Sequence, residues 1–150
     1  MVAAILTTLF VAMVPVIELR GALPIGVGMG LAPLLSAAIA VIGNLIPIPF
    51  ILILLQYILE LMRKWNWSKK MVIWLEKKVE KNRGKVDKYG WWGLMILVAI
   101  PLPGTGAWTG ALVASCLEMD KKKAFSAITV GVLVAGAIVL ALTYGATQLF

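Results

Sequence analysis

The sequence predicts an all-α integral membrane protein built as an inverted repeat: a re-entrant hairpin and a transmembrane helix, twice, with a cytoplasmic amphipathic helix between the halves. Three observations carry this. Hydrophobic residues make up 61% and charged residues 14% of the 150, with a mean hydropathy of +0.96, a composition foreign to soluble domains. Charges fall in blocks that leave uncharged runs at 1–17, 21–59, 89–117 and 124–150. Two of these runs hold clusters of helix breakers, from Gly21 to Pro33 and from Pro101 to Gly110.

Residues 1–17 read as an apolar helix that meets Pro15 near its end. The run 21–59 is too long for one crossing and marginal for two, since a helical span needs about 20 residues. A hairpin over 1–30, turning around Glu18 to Pro24, followed by a single span over 34–62 resolves that misfit. The span should be distorted by Pro47 and Pro49, each of which removes a helix hydrogen bond. Asn44, within it, suits an interhelical hydrogen bond.

Residues 63–88 form a basic linker in which Val72, Leu75, Val79 and Val86 follow helical spacing among Lys and Glu. That pattern fits an amphipathic helix at the headgroups, with Trp65, Trp67 and Trp74 as interface anchors. The second half, 89–150, then offers Trp91-Trp92, a hairpin over 91–117 broken at Pro101 and Pro103, and a span over 124–149. Gly131 and Gly136 in that span suit close helix packing.

Of the 14 Lys and Arg, ten lie between Arg63 and Lys88 and three more are Lys121, Lys122 and Lys123. Such loops mark the cytoplasmic side, which accounts for the net charge of +7 without nucleic acid. Both basic loops inside and both termini outside make the halves opposite in orientation, the inverted-repeat plan of many transporters. Setting Arg20 over Thr105, at an offset of 85, aligns Gly21-Ala22 with Gly106-Ala107; three further residues for the Met119–Lys123 loop place Gly43 over Gly131. The alternative topology makes 1–17 a short span and leaves Glu18 to Arg20 as a solvated turn.

The chain has no histidine and one cysteine, Cys116. Zinc sites, Ser-His-Asp triads and intrachain disulfides are therefore unsupported, and neither enzyme activity, nor a metal, nor a cofactor is expected. No basic leader with a cleavage site is evident at the N-terminus.

Charge inside a membrane segment marks a functional site by default, which singles out Glu18 and Arg20. Two hairpin tips meeting in the membrane would present half-helix ends, whose N-termini attract anions. Arg20 is the expected ligand for a phosphate-like head group. Glu18 is either its partner or a proton acceptor, so coupling to protons or Na+ stays open. Gly21 and Pro24 are expected to break the first hairpin, and Pro101 and Pro103 the second. Thr105, Thr109, Gly104 and Gly106 are expected to complete the site or, for the glycines, to serve packing.

The segments Pro15-Val16-Ile17-Glu18-Leu19-Arg20-Gly21-Ala22-Leu23-Pro24 and Pro101-Leu102-Pro103-Gly104-Thr105-Gly106-Ala107-Trp108-Thr109-Gly110-Ala111 resemble the paired signatures of the small multi-drug export family. More distantly the layout is similar to the DedA superfamily, whose re-entrant hairpins are associated with ion-coupled movement of lipid-phosphate carriers. This chain matches that family's acidic residue with Glu18 and its Pro-Gly with Pro103-Gly104, but Thr105 or Gly106 stands where its Arg is expected.

The resulting expectation is a small, flippase-like transporter in a prokaryotic plasma membrane, moving an amphipathic anionic substrate between the tips. Export of cationic drugs through Glu18 is the alternative within transport, and a lipid-interacting scaffold acting through the basic helix is the alternative outside it. Membrane lipids and a second copy of the chain are the expected partners, with Gly106 and Gly110 permitting close association.

Overall fold

The structure, a computed structural model, describes residues 1–64, 69–102 and 105–149. Trp65, Trp67, Pro103 and Gly104 lie outside the described residues, as do the side chains of Val72 and Leu75. Among the described residues there are eight helices and no strand: α1 (Val2–Met13), α2 (Glu18–Gly28), α3 (Pro33–Leu45), α4 (Pro47–Lys64), α5 (Lys69–Tyr89), α6 (Trp91–Ala99), α7 (Ala107–Cys116) and α8 (Lys121–Leu149).

The first break lies earlier than the sequence suggested. Pro15 biases its predecessor toward extended backbone, and Val14 ends α1 at φ −73°, ψ 129°. Val16 and Glu18 then adopt left-handed φ of 79° and 50°, which reverses the chain. The turn is thus Val14–Ile17, and α2 starts at Glu18 instead of following a loop from Glu18 to Pro24. Gly21 and Pro24 do not break the hairpin but lie within α2. A proline there removes one helix hydrogen bond, the one that would reach the Arg20 carbonyl, and α2 continues through it.

The expected distortion near Pro47 is present: α3 ends at Leu45 and α4 begins at Pro47, with Ile46 between them still in helical backbone at φ −56°, ψ −49°. Among the described residues, 33–55 and 121–149 are the two stretches long and apolar enough to cross a membrane. Large apolar side chains face outward on both, among them Ile42, Phe50, Ile53, Leu54, Leu133, Ile138 and Leu142. An outer surface of this kind suits a membrane.

Helices α1 and α2 pack on α3, and α6 and α7 pack on α8; α3 meets α8 and α4 meets α7. One shared core results, rich in alanine, with Ala12, Ala22 and Ala40 from the first half against Leu94, Ala107, Ala111 and Ile128 from the second.

Two local features occur in both halves. Helix α2 ends with Leu31 N–H donating to Gly26 O (3.0 Å) and Gly30 N–H to Val27 O (3.0 Å); α7 ends with Met119 N–H on Ala114 O (3.0 Å) and Glu118 N–H on Ser115 O (3.2 Å). Both are Schellman closures, with the left-handed residue Gly30 in one and Glu118 in the other. Likewise Gly43 of α3 lies against Leu9 O and Ala12 of α1, as Gly131 of α8 lies against Met95 O and Val98 of α6, leaving no room for a Cβ at either.

Helix α5 carries the basic linker and packs on α6 and α7, burying Val79 and Val86. Trp74 is exposed and lies under the Lys78 ammonium (5.1 Å to the ring centroid). Trp91 donates to Ser126 Oγ (2.8 Å) while Trp92 is exposed.

Candidate functional site

Every helix begins with backbone N–H groups that lack helical partners and ends with carbonyls in the same position. In the second half α6 ends at Ala99 and α7 begins at Ala107, both buried among other helices. The N-cap of α7 is Gly106, which has no side chain to satisfy those donors. Glu18 does it from the other half. Its carboxylate accepts Trp108 N–H at 3.1 Å, with the Ala107 amide as a second donor. Glu18 is 4% exposed, so its carboxyl faces these amides and the positive end of α7 rather than solvent.

Arg20 serves the opposite helix end. One terminal guanidinium nitrogen, Nη2, donates to Ile100 O (2.8 Å) and Thr105 Oγ1 (3.0 Å). The other, Nη1, donates to Thr105 O (3.1 Å) and to Leu102 O. Ile100 is the C-cap of α6, where a cation is favoured. The Thr105 hydroxyl stands 2.8 Å from Ile100 O and 2.7 Å from Leu102 O, donating to one at a time while accepting from Arg20. The two charges of the first hairpin therefore cap the two helix ends of the second break, acid on the N-terminus and base on the C-terminus.

Gly106 makes this contact feasible. Its φ is +122°, and a Cβ would run into the Glu18 carboxylate. It is a packing glycine with a charged partner, and Gly110 is likewise closed over by Val98. Neither offers a surface for association between copies. Thr105 joins the cluster, whereas Thr109 is buried with 4% exposure. Pro101 lies in the break; Gly104 and Pro103 lie outside the described residues.

Sequence reasoning missed three participants. The amides of Ala107 and Trp108 carry no side-chain signal, although a glycine N-cap opposite a buried acid could have revealed them. Lys78 of α5 adds the weakest of the attractions on Glu18, below that of Arg20, which the linear pattern of a solvated basic helix hides. Asn44, expected to bond between helices, is 1% exposed and its Oδ1 has no partner.

Among the described residues the protein is thus all-helical, with two apolar stretches long enough to cross a membrane and a buried acid and a half-buried guanidinium joining its two broken segments as a charged strap. The family model described as "Putative small multi-drug export protein" matches residues 18–138, from Glu18 at the strap through most of α8. The chain belongs to that family. No curated protein and no solved structure gave a match.

Proposed function

We propose that this protein moves an amphipathic, anionic, lipid-phosphate-like substrate across a membrane, with Arg20 as the group that meets the head group. The observation that carries this is the unequal accessibility of the two charges: Glu18 is buried, while Arg20 is half-buried and, among the described residues, hydrogen-bonds to neutral oxygens. A phosphate can exchange for carbonyls on a guanidinium and gains a charge-assisted, bidentate pair by doing so. A cationic drug would have to reach Glu18 through the Trp108 and Ala107 amides, so that reading is the weaker one. Exchange at Arg20 would free the end of α6, which links binding to a change in the break. Protonation of Glu18, or a coupling cation near it, would free α7 in the same way.

We further propose that the halves are inverted repeats with the site on their axis. In support, Gly43 and Gly131 make the same approach to a preceding helix, and α2 and α7 close alike. Arg20 and Thr105, superposed in the sequence alignment, hydrogen-bond to each other, as equivalent residues do only near a two-fold axis. Basic helix α5 and Lys121–Lys123 on the cytoplasmic side complete the topology. A homodimer, if formed, would use a surface other than Gly106 and Gly110.

The test is binding of an alkyl phosphate to purified protein. Arg20→Lys, which keeps the charge but loses the planar fork, should weaken binding about tenfold; unchanged binding would sink the assignment.

A further inference from the structure

Beside the strap lies a groove of about 370 Å³ lined by Met13, Ile46, Pro47, Phe50, Leu54 and Trp108, with Leu112 at its side. It falls in the size range of small-molecule sites, and its lining carries no charged side chain. Trp108 adds a second observation. Its indole Nε1 is buried and has no hydrogen-bond partner among the described residues, an arrangement that costs free energy until an acceptor arrives. The same residue's backbone N–H is the one that Glu18 holds.

We infer that this groove takes the acyl chain of the substrate, with an ester carbonyl accepting from the Trp108 indole. The inference rests on the transport reading above and deepens it by naming an ester-linked lipid as the substrate class. An uncharged wall admits hydrocarbon but not a head group, and a single orphan donor asks for a single neutral acceptor. The chain enters from the lipid side, where Phe50 and Leu54 are 62% and 50% exposed, and its ester meets Nε1, which lies buried behind the apolar wall, once the indole turns toward the groove. Because Trp108 belongs to the first turn of α7, an occupied groove bears directly on the helix end that Glu18 caps.

Two uncharged probes of equal chain length separate the acceptor from the hydrocarbon: methyl oleate and 1-octadecene, measured by displacement of a lipophilic fluorophore from the purified protein. Trp108→Phe keeps the ring and removes the donor. It should weaken methyl oleate about fivefold, the worth of one net hydrogen bond, and leave octadecene unchanged. Leu54→Trp, on an exposed wall that tolerates bulk, should block both. Equal losses for both probes in Trp108→Phe, or no loss for either, overturn the ester assignment; free binding in Leu54→Trp overturns the groove. Arg20→Lys should leave both neutral probes untouched and weaken only the alkyl phosphate, so failure of the head-group reading shows itself separately.

Discussion

The two breaks solve the same problem by opposite means. The first, Val14–Ile17, is short, and its side chains face outward, with Val16 89% exposed; its reversal is closed by its own backbone, Glu18 N–H reaching Val14 O at 3.0 Å. The second, 100–106, is longer and carries no charge of its own, so its helix ends are completed by side chains from the first half. The first hairpin supplies charge and the second supplies backbone dipoles. Neither break is intelligible alone, which explains why Glu18 and Arg20 stand together in an otherwise apolar segment.

Substitutions can break that complementarity in graded steps. Gly106→Ala should be the most damaging, because the left-handed backbone and the collision with Glu18 add: about 1–2 kcal/mol for the former and about 1–3 kcal/mol for the latter. Gly21→Ala, the aligned position, meets only the Ile17 side chain, so thermal unfolding in detergent should show a much smaller drop. Arg20→Ala leaves carbonyls of Ile100, Leu102 and Thr105 short of a donor and should cost about 2–3 kcal/mol, read in the same assay, with Arg20→Lys recovering part of it. Gly43→Ala and Gly131→Ala each push a methyl into a backbone carbonyl, Leu9 O in one half and Met95 O in the other. Each should cost about 1–3 kcal/mol, and clearly unequal losses would count against the correspondence of the halves. Thr105→Val removes one hydroxyl from the strap and should cost about 1 kcal/mol, with a measurable rise in hydrogen exchange over 100–106.

Much of this architecture was legible from charge and breakers. The uncharged runs located the two stretches long and apolar enough to cross a membrane among the described residues, and Pro47 marked the point where α3 gives way to α4. The first turn was misplaced because Gly21 and Pro24 were weighed by their propensities alone. Pro15 already extends Val14, and tertiary packing of Leu19, Ala22 and Leu23, each with at most 1% exposure, holds α2 helical through Pro24. At the site, residue types were legible but not their pairing. Glu18 was left as either the partner of Arg20 or a proton acceptor, whereas the hydrogen-bond partners of both among the described residues lie 80 to 90 residues away and are mostly backbone. Backbone donors have no letter in a sequence; only counting the unsatisfied ends of α6 and α7 exposes them.

The charges are thus assigned to particular helix ends, and exchanging them tests this most directly. The double variant Glu18→Arg/Arg20→Glu keeps composition, net charge and any mutual ion pair, but aims a cation at the N-terminus of α7 and an anion at the carbonyls of α6. Its thermal unfolding midpoint in detergent should fall at least as far as that of Arg20→Ala. A midpoint equal to the parent's would show that the two charges serve each other, and the strap between the halves would have to be abandoned.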